Sequence, residues 1–372
     1  MSKKKIVGTN ALTYPELRNF AGLNLPNYEF KKVLDGYKIP SYLQFKLFKK
    51  LNRKWQNSFY DFGLNNIDFF HFFNVLNCGK KPYFTTYETA LPRWRDNDGD
   101  FKKGLALIAK NNCKKIIAIS KCAYHLQQNI IEKYAPELLP IITTKNCVML
   151  PPQKILIQNY SEKKLNPHFI VFTLVGADFF RKGGAAILNV FDKLLEQKLP
   201  VKLNIVSSLN FGDYASKTTL KDKEIAIQII EKYPENIIYY PSLSNLKVEE
   251  LLINTHVALL PSLAETFGYF ILEAQAAACP VITTDIRAMP EINNNETGWI
   301  IPIKAANSYD ADITLPNKLI EQISLQLEKI IIEIVGNKTL IETKGNKALQ
   351  NIISNHSVEK HKAKLSSLYN FN

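Results

Sequence analysis

The chain has 372 residues, 46% hydrophobic and 22% charged, which suits a folded protein of two domains and excludes a disordered one. No apolar run nears the roughly 18 residues that cross a bilayer, and the basic start MSKKKIVGTN is followed by too short an apolar stretch for a signal peptide, so a cytoplasmic location is expected. The net charge of +13 is uneven: Met1 to Leu165 holds 27 Lys+Arg against 12 Asp+Glu, and Asn166 to Asn372 holds 20 against 22. The first half therefore either faces an anionic partner or carries a solvated lysine-rich surface.

In chain order, KKIVGT reads as a first strand, followed by about 60 residues of irregular and helical character. IDFFHFF, PYFTTYE, KKIIAIS and CVML then read as strands, with AYHLQQNIIEKYA as a helix. Prolines and polar residues from Pro151 to His168 interrupt both periods, and a domain boundary at 165/166 is expected there. The second half alternates cleanly. Strands at HFIVFTLVG, VKLNIVSS, NIIYY, HVALLPS and PVITTD are separated by helices at GGAAILNVFDKLLEQK, KDKEIAIQIIEKY, LKVEELLINT and GYFILEAQAAA. That order is one doubly wound α/β domain over 166–350. The tail is helical, and 351–372 is expected as a helix crossing back to the N-terminal domain.

Five scattered cysteines and six scattered histidines make no metal-ligand spacing, so reduced structural thiols and no metal site are expected. No nucleic-acid-binding motif appears.

Two constellations carry chemistry. VGADFFRKGG, from Val175 to Gly184, puts Arg181 and Lys182 in a strand-to-helix loop, where a guanidinium fork and an ammonium suit a diphosphate. It is neither a Walker P-loop nor a dinucleotide fingerprint. ETFGYFILEAQAAACPVITTD, from Glu265 to Asp285, sets Glu265 in a loop at the carboxyl end of a strand. Thr266 is the expected N-cap of the next helix, Gly268 permits close backbone approach, and Glu273 lies about two turns along. Carboxylates accept two hydrogen bonds and suit sugar hydroxyls, while the helix start suits an anion. A solvated helix face is the other reading of the glutamates alone.

Taken together, GADFFRKG, ETFGYFILEAQA, CPVITTD, PEI and TGWIIP resemble the donor domain of the retaining glycosyltransferases of family 4, over roughly Phe169 to Pro302. The resemblance implies a GT-B fold: α/β, with two Rossmann-like doubly wound domains facing across a cleft, the first binding the acceptor. It implies a nucleotide-sugar donor as substrate, no cofactor, no metal, and retention at the transferred carbon. It assigns Arg181 and Lys182 to the leaving diphosphate and Glu265 to the transferred sugar. Gly176 and the backbone N–H groups of Phe267, Gly268 and Tyr269 would line the donor, and Glu273 would hold the ribose. A glycan or lipid-linked acceptor follows, with surface polysaccharide or glycolipid synthesis as the setting.

The N-terminal half matches only in fragments. IDFFHFFN carries His71 at a place where the family has a histidine, although a satisfied core histidine is the competing reading. The family's His-Asp pair is replaced by Tyr87 and Glu88, its glycine-rich loop is reduced to Gly8, and AACP stands where a small-Gly-x-Pro is usual. His71 and Glu88 remain the acceptor-side candidates. YLQFKLFKKLNRKW, Tyr42 to Trp55, reads as a basic amphipathic helix for an anionic membrane surface, or as a helix packed on its own domain. A non-catalytic GT-B-like subunit that binds a nucleotide sugar is the alternative function.

Overall fold

The computed structural model describes residues 3–49, 51–94, 98–212, 215–303 and 317–371. It comprises two compact units, one of Met1–Pro152 with His356–Asn372, the other of Gln153–Asn355.

The first unit is built on a six-stranded parallel sheet: β1 (Lys5–Thr9), β2 (Tyr28–Lys32), β3 (Phe69–Phe73), β4 (Tyr83–Tyr87), β5 (Cys113–Ala118) and β6 (Asn146–Val148), in the order β2-β1-β3-β4-β5-β6. Every residue of β3 and β4 is buried, as the aromatic run FFHFF requires of a central strand covered on both faces. The helix Lys121–Tyr134 starts where the Ser120 hydroxyl accepts from Ala123 N–H at 3.0 Å, and it buries Leu126, Ile130 and Ile131. The helix Val358–Tyr369 also belongs to this unit; Tyr369 is buried against Tyr28, Phe69 and Phe84.

The second unit repeats the plan with β7 (Ile170–Val175), β8 (Val201–Val206), β9 (Ile237–Tyr240), β10 (Val257–Leu260), β11 (Val281–Thr284) and β12 (Gly298–Ile301). All pairings are parallel, in the order β9-β8-β7-β10-β11-β12. This is the doubly wound order whose direction of travel reverses between β7 and β10. The helix Gly184–Glu196 buries Ile187, Val190, Phe191 and Leu194, one stripe at helical spacing. Residues 153–165 fall in this unit rather than with the first domain, because Ile157 packs against Ala278 and Leu349.

Candidate functional site

The site grows from the two loops that leave β7 and β10, the strands flanking the reversal point. Open α/β sheets bind ligands in the crevice there, beyond the carboxyl ends of the strands. The loops are laced together. Leu263 N–H donates to the Arg181 carbonyl at 2.8 Å, and Arg181 Nη1 donates to the Ala264 carbonyl at 2.6 Å. Gly183, at φ +84°, caps the helix Gly184–Glu196; a Cβ there would lie 2.2 Å from the Pro261 carbonyl oxygen. Only glycine permits that approach.

The contact brings the predicted charges together. Lys182 Nζ donates to Glu265 Oε2 at 3.0 Å, Arg181 Nη1 stands 3.6 Å from the same oxygen, and Glu265 Oε1 accepts from Thr266 N–H at 3.1 Å. Burial would raise the Glu265 carboxyl, but Lys182 and Arg181 outweigh it and hold it below its ordinary value. Asp178 Oδ2 accepts from Arg181 Nε and Nη2 at 3.0 and 2.8 Å, locking the guanidinium plane. Asp178 is a site residue that the spacing did not single out, although it sits three positions before Arg181. Gly176, at φ +153°, lies beneath the Lys182 stem.

The helix Tyr269–Ala276 begins at Gly268, φ +91°, and not at Thr266. A left-handed residue must break the backbone before the helix, which glycine does at little cost; a glycine cap also offers the first turn no side-chain acceptor. Phe267 is buried, with its ring 5.0 Å from that of Tyr269. Glu273 is the fifth helical residue, closer to the helix start than two turns, and half-buried. Asp178, Arg181, Asn210, Phe211 and Thr218 line a cavity of about 120 Å³ beside the cations.

The acceptor-side candidates part company. His71 is fully buried in β3: Nδ1 meets the Tyr369 hydroxyl at 2.5 Å, Nε2 meets Thr86 Oγ1 at 2.9 Å, and the ring stacks on Phe20 at 3.9 Å. It is a satisfied core residue with no face for a substrate, which corrects its assignment to the acceptor side. Glu88, just past β4, is half-buried and pairs with Arg93 Nη1 at 2.5 Å while accepting from Asn74 Nδ2 at 3.3 Å.

The basic segment is two helices rather than one. Lys38–Phe48 ends where Lys49 turns left-handed, φ +53°, and Asn52 caps the short helix Arg53–Gln56. Lys50 lies outside the described residues. No residue of Lys38–Phe48 is buried; Ile39, Leu43 and Leu47, one stripe at i, i+4 and i+8, are 70%, 50% and 73% exposed. The helix therefore does not hide its apolar face in its own domain.

Among the described residues, no three His, Cys, Asp or Glu side chains stand together as metal ligands, and no helix is long and apolar enough to cross a membrane.

Two Rossmann-like units, the second with its charged loops at a strand-order reversal, make this a GT-B architecture. Residues 157–321 match the family model of glycosyl transferases, group 1. The chain is 28% identical over 165 residues (44% of this chain, 41% of the relative) to an uncharacterized 41.2 kDa protein in the cps region of Klebsiella pneumoniae. It is 24% identical over 149 residues, 39% of this chain and 30% of the relative, to the gpi3 subunit of phosphatidylinositol N-acetylglucosaminyltransferase from Schizosaccharomyces pombe. The chain thus spans less than half the length of these curated relatives. In structure it is similar to a glycosyltransferase from Rickettsia africae (TM-score 0.61, 15% identity, 99% of this chain and 98% of that one). It is also similar to Anabaena HepE in complex with UDP and glucose (TM-score 0.61, 11% identity, 99% and 100%).

Proposed function

We propose that this protein is a retaining, nucleotide-sugar-dependent glycosyltransferase that moves a sugar to a glycan or lipid-linked acceptor in surface polysaccharide or glycolipid synthesis. The observation that carries the reading is the Lys182–Glu265 pair, with Arg181 beside it, at the strand-order reversal. A carboxylate and two cations held at one point suit a donor that has hydroxyls at one end and a diphosphate at the other.

In the proposed reaction the bond from the anomeric carbon to the diphosphate oxygen breaks as the acceptor oxygen bonds to the same face of that carbon. The acceptor proton passes to the departing phosphate. Negative charge grows on the diphosphate, and Arg181 and Lys182 meet it with charge already fixed in place, which lowers the barrier more than any other effect such a site can exert. Glu265 orients the sugar and Glu273 the ribose. These cations take the place a divalent metal would otherwise occupy, so the reaction is metal-independent. UDP is the nucleotide to try first, since HepE was crystallised with UDP and glucose.

The exposed stripe of Lys38–Phe48, with Lys46, Lys49, Arg53 and Lys54 nearby, favours attachment to the inner, anionic face of the membrane. A lipid-linked acceptor would be met there.

The test is thermal stabilisation by a panel of UDP-, GDP- and dTDP-sugars, followed by release of nucleotide from the hits. Stabilisation with turnover is expected. Stabilisation without nucleotide release, with every acceptor tried, would favour the non-catalytic subunit; no stabilisation by any donor would overturn both.

A further inference from the structure

The first unit has a groove that the donor chemistry leaves unused. Asn10 directly follows β1, and Asp35 stands three residues beyond β2; the two strands are neighbours, with Thr9 paired to Lys32. Their carboxyl ends form the floor of the groove. Its wall is the helix Lys38–Phe48, which contributes Tyr42 and Phe45, closed by Leu51 and Trp55 after the chain turns at Lys49. The volume is about 370 Å³, toward the lower end of small-ligand sites, roughly 300–1,000 Å³.

Two features of the lining decide what it suits. Tyr37, Tyr42, Phe45 and Trp55 supply ring faces. Between them lie oxygen acceptors. Asn10 Oδ1 is buried and has no hydrogen-bond partner, an arrangement folded proteins avoid unless a ligand or water donates to it. Asp35 Oδ1 accepts from Tyr37 N–H at 3.1 Å, and burial pushes its carboxyl above the ordinary range against the pull of Tyr37 N–H, Lys38 and Tyr60 N–H. Lys38 Nζ donates to the Asn10 carbonyl oxygen at 2.5 Å. The groove is thus rich in aromatic rings and acceptors.

We propose that this groove binds a sugar ring of the acceptor. A pyranose has an apolar C–H face that lies against aromatic rings and an equator of hydroxyl donors that satisfies Asn10 Oδ1 and the Asp35 carboxylate. An alkyl chain would strand both oxygens, and an anion would meet the Asp35 charge. The apolar stripe Ile39–Leu43–Leu47 runs alongside the groove-lining Tyr42 and Phe45 on the same helix. One helix thereby offers a membrane-facing edge and a sugar-facing edge. The proposal rests on the glycosyltransferase reading for the word acceptor, and on the groove alone for sugar binding.

The experiment applies the full chain, and its Tyr42→Ala and Asn10→Ala variants, to an immobilised glycan array, with UDP-sugar thermal shifts measured in parallel. Tyr42 is 64% exposed, so its removal leaves the fold intact. The expected result is a set of glycans bound by the wild type, with signal at least tenfold lower in both variants and unchanged thermal shifts with nucleotide sugars. A wild type that binds no glycan, or binding that survives both substitutions, overturns the groove assignment and leaves the donor reading standing. Groove-dependent glycan binding in a protein that no nucleotide sugar stabilises would instead sink the transferase reading.

Discussion

A Cβ on Gly176 would stand 2.3 Å from both Cδ and Cε of Lys182. The glycine is therefore a channel for the lysine stem, and the lysine reaches Glu265 only because nothing grows from position 176. Gly176→Ala is expected to strain the backbone, since φ there is +153°, and to swing Lys182 Nζ off Glu265. Turnover of the folded protein should fall at least tenfold, and the melting temperature should drop by a few degrees. Unchanged kcat in a folded Gly176→Ala protein would refute the channel.

Lys182→Ala and Arg181→Ala should each lower kcat by roughly 100- to 1,000-fold, the usual cost of removing one preorganised stabiliser, about 2.7–4 kcal/mol. Each should remain folded but melt lower, because Glu265 stays buried with one cation fewer beside it. In Lys182→Ala the burial of Glu265 persists while its main cation is gone, so its carboxyl should titrate higher than in the wild type. Carboxyl-carbon NMR follows that directly, and an unmoved resonance would contradict the pairing.

Glu265→Ala is expected to act on kcat, since its carboxylate sits with the cations at the reacting end. Glu273→Ala should act on KM for the donor, an interaction shared by ground and transition states. Steady-state kinetics with the two effects interchanged would reverse these roles. Chelator should leave both proteins at their starting rates.

Stability should fall on acidification from pH 7.5 to 5.5. Burial holds His71 well below its ordinary value and, with Lys163 and Lys338, lowers His256 to about 4. Both are neutral when folded, and His256 Nδ1 must stay so to accept Val171 N–H at 3.1 Å. The unfolded chain takes up protons below about pH 6.5, so the unfolded state gains as pH drops, by up to about 1.4 kcal/mol per pH unit for each histidine. Melting temperature against pH reads this; a flat profile would mean the imidazoles are solvated.

Liposomes containing anionic lipid should sediment the protein at low salt, and binding should weaken with added salt. Replacing Ile39, Leu43 and Leu47 by serine should abolish it without loss of fold, because all three are exposed. Equal sedimentation with neutral lipid would remove the electrostatic part of the argument.

The second unit was legible because its strands are short apolar runs set between amphipathic helices, and each loop of the site carries its own motif. The first unit was harder for identifiable reasons. β2 is an edge strand, YEFKK, with only Tyr28 buried, so it lacks the apolar run that betrays a strand. The break at Lys49 has no glycine to announce it, and KKLN reads as helix until the left-handed φ is seen. Thr266 looks like a better cap than Gly268 on propensity, yet the backbone turn, not the side chain, ends the loop. His71 illustrates a general ambiguity, since an imidazole among phenylalanines has the same sequence signature whether it meets a substrate or a tyrosine.

The pairing of Tyr369 with His71 also dictates an order of assembly. The first unit is discontinuous: its aromatic centre needs a helix that is translated only after the whole of Gln153–Asn355. The second unit is one uninterrupted stretch of chain. The first must wait, with Phe69, Phe84 and Tyr28 uncovered, until the helix Val358–Tyr369 emerges. The half that is synthesised first therefore cannot be complete until a helix made after the other half joins it.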